Sequence, residues 1–338
     1  MRNHPWPGWR RGAAAVALSV LAAAGSAGCA RGEAADSRAD ATERVALAGA
    51  KRTVKVGVLR QPHLSHALFY ERYLPDNVAV DIVPFANSTE IKNAIVSGDL
   101  AFGVTGLTAA LQGAANDEPV VVVAAAADGG SAIVAGRNTA IKGVADLRGK
   151  KIGYVPGSAQ DILLRLTLKD GGLDPSRDVQ LVTVQFADMS AALSRGDIDA
   201  FSGAETGPSD ALVKGDAVLV THPYGTKMGK INIVLATNRA TVSSDADLVQ
   251  AMVAVHAKAT DYMKANGQQW TEAVISKYGY AGKSLEVAVK NIDLRWRIDD
   301  AYLAQTRVLG QQQLALGQIR KEPDYAAFVD PTFVGKLR

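Results

Sequence analysis

The chain has 338 residues, 48% hydrophobic and 21% charged, with a formal net charge of +3. That length and composition suit one large or two medium globular domains with a real core. Arg2, Arg10 and Arg11 precede residue 28 with no acid among them, so the remainder is neutral, which gives no support to a nucleic-acid-binding face.

The first 28 residues have a positive start, an apolar run from Ala13 to Ala24 and small residues before Cys29. The run is shorter than the roughly 20 residues that cross a bilayer, so it predicts an export signal. The paired Arg10 and Arg11 leave general and twin-arginine export open. Cys29 is the sole cysteine, which rules out an internal disulfide. Ala24-Gly-Ser-Ala-Gly-Cys29 resembles the lipobox of bacterial lipoproteins, and the resemblance implies lipidation of Cys29. The alternative is a plain secretory signal with an incidental cysteine. Residues 29–51 are polar, Ala-rich and without strand signals, as expected of a flexible tether.

The first firm strand is Thr53–Leu59, followed by turn-prone Arg60-Gln61-Pro62 and an apolar, helix-like Leu64–Leu74. Val78–Phe85 reads as a strand, and Ser88 with Glu90 in the next turn reads as a helix start. Gly98 ends that helix before a short buried strand, LAFGVTG, and a helix, LTAALQGAAN. The continuous apolar run PVVVVAAAA predicts a strand covered on both faces. The order then restarts: a strand at Lys151–Val155, a helix from Ser158, a strand at Val179–Phe186, a helix, and the strand DIDAFSGAE. Lys230–Asn238 reads as one more strand, and the rest of the chain as helices.

Strands alternating with helices predict an α/β fold with parallel pairing. KVGVL and KIGYV open the two halves, and GDLAFG echoes in GDIDAF about a hundred residues later. This spacing is too long for a solenoid repeat and implies two lobes of related design. The first lobe is residues 52–128 and 230–338 with a C-terminal helical cap, and the second is residues 129–229. The chain then crosses between lobes twice, as a hinge does.

GDLAFGVTGLTAALQGAANDEPVVVVAAAA, LRGKKIGYVPGSAQDILLRLTLKDGGLDPSRDV and GDIDAFSGAETGPS resemble substrate-binding proteins of the nitrate, sulfonate and taurine class. These serve ABC importers and share a fold with thiamine-pyrimidine precursor proteins. The resemblance covers roughly residues 52 to 300. It implies a type II periplasmic-binding-protein fold and an exported, lipid-anchored monomer. Its partners would be a small solute, an ABC permease and an ATPase, with no cofactor. Where the family often has an aromatic before Glu and Pro after it, this chain reads Ser202-Gly203-Ala204-Glu205-Thr206-Gly207-Pro208. The smaller wall implies a ligand bulkier than taurine or a short sulfonate.

Such lobes bind ligands beyond the carboxyl ends of their strands. That places Arg60, Gln61 and His63 after the first strand, Thr105, Gly106 and Thr108 after LAFGV, Gly157, Ser158 and Gln160 before a helix, and Glu205 after DAFSGA. Gly157-Ser158 can present backbone amides and a hydroxyl to an anion at a helix N-terminus, or Ser158 can merely cap its own helix. Thr105-Gly106 repeats the choice. Arg60 is either a bidentate clamp on a carboxylate or sulfonate or a solvated loop residue. Glu205 would pair with an amine or a heterocycle N–H, so Arg60 and Glu205 together would suit a zwitterionic or polar heterocyclic ligand. His63 and His66 alone fall short of the three or four ligands of a metal site. The competing reading is an enzyme on the same fold, such as a pyrimidine-precursor synthase. The chain beyond Cys29 offers it no thiol, no G-x-S-x-G elbow and no nucleophile beside a base.

Overall fold

The computed structural model describes residues 44–337. The export signal, Cys29 and most of the predicted tether lie outside the described residues. The tether's expected end at Lys51 is too late. Val45 N–H donates to Tyr73 O at 2.9 Å, Asn77 Nδ2 donates to Gly49 O at 3.0 Å, and Val45 and Leu47 pack against the core. Alternating apolar residues let this short stretch dock as extended chain.

Among the described residues, eleven strands form two sheets. β1 (Arg52–Leu59), β2 (Val78–Phe85), β3 (Phe102–Gly106), β4 (Val120–Gly129), β10 (Ile231–Asn238) and β11 (Ile292–Leu294) make the first, in the order β11-β4-β10-β3-β1-β2. β5 (Ser131–Gly136), β6 (Lys151–Tyr154), β7 (Gln180–Thr183), β8 (Ala200–Ala204) and β9 (Ala217–Thr221) make the second, in the order β7-β6-β8-β5-β9. β1 is parallel to β2 and β3, and β6 is parallel to β7 and β8. Both sheets are nevertheless mixed. β10 runs antiparallel to β3 and β4, and β5 runs antiparallel to β8 and β9.

The helices are α1 (Ser88–Ser97), α2 (Leu107–Ala115), α3 (Ala159–Asp170), α4 (Met189–Arg195), α5 (Gly207–Lys214), α6 (Arg239–Ser244), α7 (Ala246–Ala265), α8 (Gly267–Tyr278), α9 (Gly282–Ala288) and α10 (Asp300–Ala315), with two short turns of helix after them. The apolar stretch after β1 forms two 3-10 segments, Pro62–Leu64 and His66–Arg72, rather than one α-helix. Pro62 sits at the first position of one segment, and Ser65 Oγ donates to Pro62 O at 2.7 Å, closing that turn.

β4, with Val120 to Ala127 all buried, sits between β10 and β11, as its continuous apolar run requires. α1 lies close on β1 and β3 because glycines leave room. A Cβ on Gly103 would stand 2.4 Å from Ile91 Cγ2, and one on Gly57 would stand 3.1 Å from the same atom. α3 is buried on two sides. Ala159, Ile162, Leu163 and Leu166 join the core of the first sheet, while Leu164 and Leu168 join a core of the second.

β4 leads into β5 through Gly129 and Gly130, both at positive φ (79° and 74°), and residues 222–230 return the chain from β9 to β10. The C-terminal helices touch both sheets' layers: α7 packs on the 3-10 segment 66–72, and Ser284 Oγ of α9 donates to Asp210 Oδ1 of α5 at 3.2 Å.

Candidate functional site

A cavity of about 330 Å³ opens where the carboxyl ends of β1, β3, β6 and β8 face one another. It is at the small end of the range for small-molecule sites. The first sheet's layer supplies Gln61, His63 and Leu64, the starts of α1 and α2, and Asn232 and Ile233 of β10. The second supplies residues 155–160, Gln185, Phe186 and Ala204.

Seven of the ten residues placed at strand ends by sequence meet here: Gln61, His63, Gly106, Thr108, Gly157, Ser158 and Gln160 all line the cavity. The other three lie elsewhere. Arg60 is exposed, and its carbonyl accepts a hydrogen bond from Tyr280 Oη. Thr105 is fully buried, with Oγ1 donating to Ser88 O at 3.2 Å. Glu205 is 2% exposed and faces the protein. One carboxylate oxygen accepts from Asn291 Nδ2 at 3.0 Å, the other from Ser209 Oγ at 2.7 Å. Burial pushes its pKa up, against the lowering effect of those hydrogen bonds. Its carboxylate braces the protein on both oxygens, and Glu205 is not among the residues lining the cavity.

Glu205 belongs to a polar network around the β4–β5 connection. Tyr224 Oη accepts from Ser131 N–H at 2.8 Å, and Asn291 Nδ2 donates to Ser131 O at 3.1 Å. Gln160 Nε2 donates to Ser131 Oγ at 2.9 Å, and Asn232 Nδ2 to Gly129 O at 2.6 Å. These bonds fix Gln160 and Asn232 as walls of the cavity.

α1, α2 and α3 all point their N-termini at this space. The first amides of a helix lack intrahelical partners and favour negative charge. In α1, Asn87 Oδ1 accepts from Glu90 N–H at 3.0 Å, and Glu90 Oε2 accepts in turn from Ala86 N–H at 3.1 Å. In α3, Ser158 Oγ accepts from Asp161 N–H at 3.2 Å, and Asp161 Oδ2 accepts from Gly157 N–H at 3.0 Å. Each of these two ends therefore carries its own carboxylate. α2 has no side-chain cap and no acid in its first turn. Gly106 is its N-cap, with its N–H donating to Ser88 Oγ at 3.0 Å, and a Cβ there would stand 2.9 Å from that hydroxyl. The Thr108 side chain is 1% exposed and makes no hydrogen bond among the described residues.

Glu90 is the one charged side chain lining the cavity among the described residues. Bonds beside the cavity help join its halves: Gln112 Nε2 of α2 donates to Gly157 O at 3.4 Å, and Gln318 Nε2 donates to Asp161 Oδ2 at 2.9 Å. Gly157 sits at φ 73°, and a Cβ there would come within 3.2 Å of the Gln112 amide.

Reasoning from strand ends found the loops after β1, β3 and β6 but missed Asn87, Ser88, Gln185, Phe186 and Asn232. Asn87 and Ser88 follow β2, so the same rule reaches them once β2 is seen to pair in parallel with β1. Asn232 comes from a strand that returns from the second sheet's layer, and no local signal marks it.

The family described as NMT1/THI5-like matches residues 73–269. A protein of Escherichia coli (strain K12) named for aliphatic-sulfonate binding is 27% identical over 207 residues, 61% of this chain. The match spans 63% of that protein's length. Among solved structures, the alkanesulfonate-binding protein of Xanthomonas axonopodis pv. citri, bound to MOPS, superposes with a TM-score of 0.73 at 18% identity. It covers 84% of this chain and 99% of its own. The nitrate-binding protein of Synechocystis PCC 6803 gives a TM-score of 0.72 at 14% identity, covering 85% and 89%. The periplasmic-binding-protein architecture is therefore the fold of this chain.

Proposed function

Because the chain belongs to the NMT1/THI5-like family, we propose that it is the solute-binding component of an ABC importer, which captures a small organic anion between two lobes and delivers it to a membrane permease. The observation that carries the reading is the bare N-terminus of α2. It is uncapped, free of acid, and faces a cavity beside the buried, unpartnered Thr108 hydroxyl. Amides and hydroxyls can hold a sulfonate or nitrate without a lysine or arginine. The names of the similar sulfonate- and nitrate-binding proteins support the same class of ligand.

The lobes are residues 52–128 with 230–338, and 129–229, and they close about the two connections between the sheets. The bonds from Gln112 and Gln318 beside the cavity belong to the closed form, and a solute that prefers that form draws the lobes together. The role needs no catalysis: Ser158 Oγ is spent on Val155 O at 2.7 Å, and no serine lining the cavity bonds a histidine among the described residues. A thermal-shift series with ethanesulfonate and nitrate tests the reading. Either anion at 100 times its Kd is expected to add about 2.7 kcal/mol to the stability of the folded state. No upward shift with either at tens of millimolar would sink the anion reading.

The export signal and Cys29 support a lipid-anchored protein outside the cytoplasm. No helix among the described residues is long and apolar enough to cross a membrane. In a bacterial host the native protein is expected in the membrane fraction and the Cys29→Ser protein in the soluble one. Equal partition of the two would remove the anchor.

A further inference from the structure

Two buried polar side chains from the connection after β1 face the cavity with nothing to bond. His63 is 1% exposed, and neither of its ring nitrogens makes a hydrogen bond among the described residues. Gln61 is 8% exposed, and its side chain makes no hydrogen bond among the described residues. Groups buried in this way are ordinarily satisfied, and both residues line the cavity. The imidazole is also held in place. The position a Cβ would take on Gly130 lies 3.2 Å from Cε1, Nδ1 and Nε2 of His63, so the ring edge rests over the β4–β5 connection.

The rest of the lining limits what that partner can be. Among the described residues no lysine, arginine or aspartate lines the cavity, so a second anionic group would find no counter-charge there. The Glu90 carboxylate is exposed and already accepts from Ala86 N–H at 3.1 Å and Asn87 Nδ2 at 2.9 Å, so it is a poor partner for a ligand ammonium. Burial pushes the His63 pKa down to about 3, which keeps the ring neutral and able to both donate and accept. The immediate surroundings of His63, with His66 behind it and Asn232 and Leu64 beside it on the cavity wall, bring no charge at neutral pH.

We propose that the solute is a small monoanion whose other end is an uncharged hydrogen-bonding group, such as a hydroxyl, an amide or a ring nitrogen, and that His63 and Gln61 hold that end. The proposal rests on the anion reading above, which assigns the charged end to the start of α2. It replaces Arg60 and Glu205, which lie off the cavity, as the source of specificity.

Calorimetric titration of the mature chain with four two-carbon sulfonates tests it. Ethanesulfonate has no second group, isethionate carries a hydroxyl, taurine an ammonium and sulfoacetate a carboxylate. Isethionate is expected to bind at least tenfold more tightly than each of the others. His63→Phe keeps the ring and removes its nitrogens. It is expected to bring isethionate down to the affinity of ethanesulfonate and to leave ethanesulfonate itself within twofold. His63→Asn restores a donor and an acceptor and is expected to recover part of the difference. Gln61→Leu gives a second reading should the His63→Phe protein fail to fold, with isethionate again losing severalfold more than ethanesulfonate. Equal affinities across the panel, tightest binding of taurine or sulfoacetate, or a uniform loss in both variants would each overturn the proposal while leaving the anion reading in place. A native protein that binds none of the four overturns both.

Discussion

The Ala109→Asp protein is expected to fold and to lose sulfonate affinity by two orders of magnitude or more. α1, α2 and α3 begin in the same register. The third helical position is Glu90 in α1, Asp161 in α3 and Ala109 in α2. In the first two, that acid folds back on the helix start and occupies the place an external anion would take. Aspartate at 109 would give α2 the same cap. For the helix alone this is favourable by about 0.3–1 kcal/mol. For a bound anion it sets two negative charges a few ångströms apart, an interaction of about 4 kcal/mol at 4 Å and an effective dielectric of 20. Ala109→Asn is the control, since it fills the same space without charge and should cost less than tenfold. Melting curves with titrations of ethanesulfonate into all three proteins decide the matter. Similar losses for Asp and Asn would mean that α2 does not hold the charged end.

The echo between GDLAFG and GDIDAF was the most informative feature of the sequence, and the pairing explains why. β3 and β8 are equivalent strands. Val56 pairs with Phe102 and Gly57 with Gly103 in the first sheet, as Ile152 pairs with Ala200 and Gly153 with Phe201 in the second. Short apolar strands beside a preceding helix need small residues where that helix lies close, and this constraint is written locally in the chain. The same holds for the starts of α2 and α3. Gly106 and Ser158 are N-caps whose residue types announce their positions.

The divergent ends of the two echoes were harder to read. Glu205 follows its strand directly, as a cleft residue would, yet its carboxylate is taken by Ser209 one helical turn ahead and by Asn291 from the far end of the chain. Nothing near Glu205 in the sequence announces Asn291. The antiparallel members of the second sheet were invisible for a related reason. β5 and β9 are short, β5 follows two glycines, and both owe their pairing to strands distant in sequence. Sequence position likewise put His63 after β1, but its lack of a partner is a property of the packed structure. That absence, more than the strand-end rule, marks it as a group that meets the solute.

Acid should destabilise the protein well before its carboxylates titrate, by about 4 kcal/mol between pH 7 and pH 5. His63, His66 and His256 are all fully buried, and desolvation lowers the pKa of each. His256 Nε2 donates to Ala125 O at 2.8 Å, and its Nδ1 accepts from Tyr70 Oη at 2.8 Å. His66 Nε2 donates to Ala126 O at 3.1 Å, with the two rings 4.7 Å apart. A proton on His256 would break the Tyr70 bond and place a charge beside His66. In the unfolded chain these rings protonate near pH 6.5, whereas in the folded chain His63 holds off to about 3 and His256 to about 4. Their contribution is therefore complete above pH 6.5 and is lost as pH falls from there towards the folded values. Linkage makes the loss at pH 5 about 2 kcal/mol for each of these two, and His66 adds to it in the same direction. Glu205 and Asp128, raised by burial, act in the opposite sense, since they bind protons more readily folded than unfolded. Their offset sets in as the pH falls through their raised folded values, so it subtracts from the loss that the histidines cause. Urea unfolding at pH 7 and pH 5 measures the effect, and His63→Phe is expected to lose about 2 kcal/mol less than the native chain over that interval. Parallel declines for the two proteins would show that His63 does not titrate on unfolding.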